Sequence, residues 1–172
     1  LGEVLTCYPK HSQLMISGAL KNSGIDSNLL DMKSMDPERL EKYGEIIYGN
    51  DTLEKLMIGS SFESVAGQII ESDIIGVNAN FTYESGVIQK FICYAKHQNP
   101  NVKVIVGGSD ATGRPEFYIK SGADVIMLGK AEITGPITVK TLLEEKSLEE
   151  VSSIAYFNAG AIKVNKRNKI AR

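Results

Sequence analysis

An α/β fold is predicted: a flavodoxin-like or Rossmann-like five-stranded parallel sheet with helices on both faces and a C-terminal β-hairpin. Three observations predict it. Short runs rich in β-branched residues, DIIGVNAN, VKVIVGG and ADVIMLG, alternate with stretches whose apolar residues recur at helical spacing. Those runs are apolar almost throughout, as strands covered on both faces must be. Near the end the rhythm changes, and SIAYFNAGAIKVN alternates apolar and polar residues about Asn158-Ala159-Gly160, the pattern of a hairpin.

Taken in order, EVLTCY is the expected first strand, and Leu14, Met15, Ala19 and Leu20 mark a helix that Asn22, Ser23 and Gly24 stop. SNLLDM reads as a short second strand. From Met35 to Glu71 the pattern favours helical pieces: DPERLEKYG, with Asp36 as cap and Pro37 in the first turn, then DTLEKLM and FESVAGQII. DIIGVNAN is the third strand, and Val87, Ile88, Phe91, Ile92 and Ala95 line one face of the helix that ends before Pro100. VKVIVGG and ADVIMLG are the fourth and fifth strands. Between them RPEFYIKSG forms a short helix closed by Gly122, and TGPITVKTLLEE supplies the last long helix.

Composition narrows the function. A chain of 172 residues that is 42% hydrophobic suits one domain with a real core. Its 19 basic and 21 acidic residues are mixed, so no field favours nucleic acid or an anionic membrane. Cys7 and Cys93 are far apart and in apolar surroundings, which fits a reducing, cytoplasmic setting better than a disulfide framework. No run is long enough to span a membrane, and LGEVLTCYPK lacks the features of a signal peptide. Beginning at Leu1 and ending in KVNKRNKIAR, the chain reads as a piece of something larger, with residues 1–165 a domain and residues 166–172 a linker.

In an open parallel sheet ligands bind beyond the carboxyl ends of the strands. Four exits stand out there: TCYPKHS, NANFTYES, GGSDATGRP and GKAEITGP. Adjacent Gly107 and Gly108 either allow a bulky ligand against the peptide plane or simply make a tight turn; Asn80, Thr82 and Glu132 on the same rim favour a site. Familiar ligands fit poorly. Tyr8-Pro9-Lys10-His11 after the first strand has no glycine to admit a pyrophosphate, which disfavours NAD and FAD, and no phosphate-cradling Gly-Lys-Ser/Thr loop occurs. The third exit is amide and aromatic where a magnesium-binding receiver needs acids. There is no nucleophile elbow, and two histidines with two scattered cysteines make no zinc site.

Three segments carry a resemblance: SDIIGVNANFTYESGVIQKFICYAKHQNPNVKVIVGGSDAT, ADVIMLGKAEITGPITVKTLLE and VSSIAYFNAGAIKVN. With the first strand and helix, they make the chain resemble the cobalamin-binding domain that precedes the catalytic barrel in cobalamin-dependent radical S-adenosylmethionine enzymes, leaving residues 35 to 70 unmatched. Gly107-Gly108-Ser109-Asp110 stands where the family commonly reads Gly-Gly-Pro and a polar residue. Gly129-Lys130-Ala131-Glu132 stands where it reads Gly-Glu-Gly-Glu.

The resemblance implies a site for cobalamin, a corrin disk fringed with amides and carrying a nucleotide tail. Gly107 and Gly108 would form a slot for the tail, with Ser109, Asp110 and Thr112 bonding the tail or the amide fringe. Asn80, Phe81, Thr82 and Tyr83 would approach the lower face of the ring, Gly129, Lys130, Ala131 and Glu132 would close the far side, and Tyr8 and Pro9 would border the first exit. Families that ligate cobalt through histidine carry Asp-x-His-x-x-Gly there; here Pro9 and Leu14 replace the acid and the glycine, so His11 reads as a loop or helix-entry residue and cobalt as base-off. His97 reads as a solvated helix end. No Cys-x-x-x-Cys-x-x-Cys run occurs, so S-adenosylmethionine and a 4Fe-4S cluster would belong to the catalytic barrel of the same polypeptide. The chain itself would supply no catalytic residue and no metal ligand. Two rivals stay open: a related scaffold domain that binds no corrinoid, and a nucleotide-binding α/β enzyme or sensor.

Overall fold

The computed structural model describes residues 11–166, and the expected first strand, with Tyr8, Pro9 and Cys7, lies outside them. The first described element is helix α1 (His11–Asn22), released by Gly24 at φ +73°. Two expectations fail in the next stretch. SNLLDM forms no strand: the chain is irregular up to Asp31, whose carboxylate accepts from Lys33 N at 3.2 Å and Ser34 Oγ at 2.6 Å and so starts a single helical turn, α2 (Met32–Met35). Local capping by the aspartate outcompetes a weak strand preference.

The second correction is larger. DPERLEKYG and DTLEKLM are not helices; they hold strands β1 (Leu40–Tyr48) and β2 (Asp51–Ile58), an antiparallel ribbon separate from the main sheet. Asp36 and Pro37 lie in a turn, with Asp36 O accepting from Arg39 N. Tyr48 pairs with Asp51, so Gly49-Asn50 is a two-residue loop, and Gly49 at φ +62° supplies the backbone that such a loop needs. Most ribbon residues are exposed on both faces, which removes the alternation that marks a half-buried strand. The ribbon leans on the body where Lys90 Nζ donates to Tyr43 O at 2.8 Å.

FESVAGQII is helical as expected, a 3-10 turn at Glu63–Val65 leading into α3 (Ala66–Glu71). The main sheet then has five strands in the order β3 (Ile74–Asn78), β4 (Lys103–Gly107), β5 (Val125–Met127), β6 (Ile154–Asn158), β7 (Ala161–Val164). Strands β3, β4 and β5 run parallel, and the β6–β7 hairpin adds to them antiparallel. Its turn residues Ala159 and Gly160 both have positive φ, +50° and +80°.

Helices α4 (Ser85–Gln98), α5 (Ser109–Gly113) and α6 (Pro115–Lys120) cover one face, where Ile88, Ile92, Val104, Val106, Tyr118 and Ile126 are buried together. On the other face α7 (Thr134–Leu143) and α1 bring Val139, Leu142 and Leu20 against Ile105, Val125, Met127 and Ile154. Each such buried side chain contributes about 1.5–3 kcal/mol. Because β3, β4 and β5 are parallel neighbours, their exits must emerge at one edge of the sheet, and that edge is the rim.

Candidate functional site

The exits of β3 and β4 are knitted together by backbone. Ala79 N donates to Gly107 O at 2.7 Å, while Ala79 O accepts from Asp110 N at 3.1 Å and Ala111 N at 3.3 Å. Gly108 sits between them at φ +115°, and a Cβ there would come 2.7 Å from Ala79 C and from Asn80 Oδ1. The group that comes so close to Gly108 is thus the neighbouring strand's own carbonyl. A Cβ on Gly107 would meet Met127 Cβ at an ordinary 3.6 Å. Asn80 Oδ1 accepts from Ser109 N at 3.2 Å, so the amide expected beneath a ring also fastens the start of α5.

Asp110 is a buried hub, 8% exposed. Its carboxylate accepts from Thr82 Oγ1 at 2.7 Å, Arg114 Nε at 3.1 Å, Arg114 Nη2 at 2.6 Å and Tyr118 Oη at 2.5 Å. Chiefly through Arg114, and against the cost of burial, these bonds hold its pKa down to about 2. Burial and the Asp110 charge push the Tyr118 hydroxyl upward, so it stays a donor. Four donors occupy the lone pairs of one carboxylate, so Asp110 fixes the turn at Thr82–Glu84 to α5 and α6.

Thr112 plays the same part at the β5 exit. Its Oγ1 accepts from Gly129 N at 3.0 Å and lies 3.4 Å from Met127 O. Gly129 has φ +97° with nothing within 4 Å of the Cβ position, so its conformation requires glycine while its surroundings are open. Ala131 O accepts from Gly135 N at 2.7 Å, and Lys130 is exposed beside it. Above the β3 exit, Phe81 and Tyr83 stack at 5.3 Å with 16° between ring planes and are 48% and 73% exposed. The structure therefore brings the residues of the third, fourth and fifth expected exits onto one rim, with Asp110 and Thr112 directed at protein partners.

Sequence reasoning passes over Thr134. It opens α7, is 4% exposed, and its Oγ1 has no hydrogen-bond partner among the described residues. The available signal was the position of Thr-Gly-Pro directly after a glycine-bearing exit, which reads at once as an ordinary helix start. Both histidines are exposed, His11 as the first residue of α1 and His97 near the end of α4. Among the described residues no three His, Cys, Asp or Glu side chains gather as a metal site, and no helix is long and apolar enough to cross a membrane.

The profile of the B12 binding domain family matches residues 1–137. The chain belongs to that family. Among solved structures, this B12-binding chain is similar to the radical S-adenosylmethionine methyltransferase TsrM from Kitasatospora setae with cobalamin and a [4Fe-4S] cluster bound, at TM-score 0.72 and 11% identity over 99% of this chain and 28% of that one. It is also similar to the cobalamin-dependent S-adenosylmethionine radical enzyme OxsB with aqua-cobalamin bound, at TM-score 0.54 and 22% identity over 64% of this chain and 16% of that one. At these identities the likeness shows the fold, and the B12-binding chain spans less than a third of either protein. No curated protein matches it by sequence.

Proposed function

We propose that this chain is the cobalamin-binding module of a radical S-adenosylmethionine methyltransferase, and that it holds base-off methylcobalamin for an adjoining catalytic barrel in the cytoplasm. One observation carries the reading: the B12 binding family match over residues 1–137 coincides with a rim on which three parallel strand exits form one surface. The residues fit a corrinoid. Phe81 and Tyr83 offer a flat exposed aromatic pair, Gly129 borders open space, and the buried Thr134 hydroxyl awaits a partner. The bound cofactor would supply a transferable methyl group.

In this reading the side chains bind and place. Phe81 and Tyr83 give the ring an apolar floor, and Asn80, Gly107, Gly108 and Ser109 form the rim beside it. Asp110 and Thr82 hold the aromatic turn in position, and Thr112 holds the β5 exit, where Gly129, Lys130, Ala131 and Glu132 bound the far side. Tyr8 and Pro9, outside the described residues, would border the cofactor at the first exit. Neither histidine would serve as a cobalt ligand, and S-adenosylmethionine and the 4Fe-4S cluster would belong to the barrel.

The test is retention of hydroxocobalamin. The protein is incubated with it and desalted, and the visible spectrum is recorded together with circular dichroism. Co-eluting corrinoid absorbance near one equivalent is expected, and substitution of both Phe81 and Tyr83 by serine should reduce it about tenfold or more. A folded but colourless protein rejects the proposal. It would favour the scaffold reading, whose support is that Asp110 and Thr112 are already satisfied within the protein and that Ala131 replaces the family's second glycine.

A further inference from the structure

We infer that the Thr134 hydroxyl is a ligand contact that donates a hydrogen bond to an oxygen of the bound corrinoid; this rests on the cobalamin-binding reading above. Burying a hydroxyl without a partner destabilises a fold, so its presence calls for a reason. The other threonines of α7 show what is missing. Thr138 Oγ1 donates to Thr134 O at 2.8 Å and Thr141 Oγ1 to Ile137 O at 2.8 Å, the usual bond to the carbonyl one turn back. Behind Thr134 the carbonyl of Ala131 already accepts from Gly135 N, and nothing among the described residues pairs with the Thr134 hydroxyl.

Position and electrostatics both point to the rim. Thr138 Oγ1 lies 3.7 Å from Met127 Sδ, which sets the second turn of α7 against the last residue of β5. The first turn, with Thr134, therefore lies toward the carboxyl end of that strand, on the side of the β5 exit. The helix begins without a side-chain cap or an acid in its first turn, so no side-chain charge of its own opposes an electron-rich oxygen there. Lys130 and Glu132 precede it with one charge of each sign, so a directed donor, rather than net charge, selects the ligand atom. In a corrinoid that atom is an oxygen of the nucleotide tail or of a ring carboxamide, and two related ligands separate these sources.

Wild type, Thr134→Val and Thr134→Ser are titrated with hydroxocobalamin and with cobinamide, which has the ring without the nucleotide tail. The thermal unfolding of each ligand-free protein is also measured. The valine variant is expected to unfold at the same temperature as wild type or higher, and to bind hydroxocobalamin roughly tenfold more weakly, with serine restoring affinity. Loss confined to hydroxocobalamin assigns the acceptor to the tail, and equal loss for both ligands assigns it to the ring. Unchanged affinity in the valine variant overturns the inference, as does a lower unfolding temperature, which would mean that the hydroxyl has an internal partner. If wild type binds neither ligand, the cobalamin reading fails first and this inference falls with it.

Discussion

Replacing Gly108 by alanine should unfold the rim from within. The residue combines φ +115° with ψ 174°, a region that costs a side-chain-bearing residue about 1–3 kcal/mol. The new methyl would also sit 2.7 Å from Ala79 C, where no flexible side chain can give way. To make room, Ala79 O must move off the amides of Asp110 and Ala111, and each such bond contributes about 1 kcal/mol. Together these effects place the loss at about 4 kcal/mol, a large share of the ~5–15 kcal/mol that keeps a domain folded. At 2–4 °C per kcal/mol for a chain of this size, the melting temperature should fall by about 10 °C. The assay is urea unfolding followed by circular dichroism, with Gly107→Ala as control. That control's Cβ meets Met127 at 3.6 Å, so it should stay within about 1 kcal/mol of wild type. Equal stability of Gly108→Ala and wild type would refute the close approach. Gly108 is accordingly a poor place to probe ligand binding, because its loss is structural first.

Three further outcomes follow. The Asp110 carboxyl is held at about 2 against 3.8, so the stability it contributes is present above about pH 4 and is lost as pH falls toward 2; in Asp110→Asn this acid-limb loss should shrink in denaturation midpoints taken from pH 2 to 5, with a cost of about 2 kcal/mol at neutral pH. An unchanged acid limb in that variant would show that the hub does not act as described. Thr112→Val removes the acceptor of Gly129 N and should cost about 1 kcal/mol while speeding hydrogen exchange at the Gly129 amide; unaltered exchange counts against the clamp. Asn165→Ala deprives Leu148 O and Val151 O of a donor now at 2.7 and 2.6 Å, and calorimetry should register a loss of about 1–2 kcal/mol, with no shift in melting temperature as the contrary result.

The residues themselves settled three parallel strands of the main sheet and its closing hairpin, because hydrophobic periodicity is written locally: the runs at Ile74–Asn78, Lys103–Gly107 and Val125–Met127 are strands, and the hairpin at Asn158-Ala159-Gly160 is where its turn residues place it. They also located the rim, since strand exits are named by their glycines and small polar residues. The stretch from Met32 to Ile58 was illegible for a physical reason. A ribbon exposed on both faces shows no alternation, so only the two-residue Gly49-Asn50 loop betrays it. Tertiary structure alone decided what the polar rim residues do. Composition cannot say whether Asp110 looks toward a ligand or toward Thr82, Arg114 and Tyr118, whether the neighbour of Gly108 is a ligand or Ala79, or that Thr134 is the hydroxyl left over, because those answers depend on which distant segments the folded sheet sets side by side.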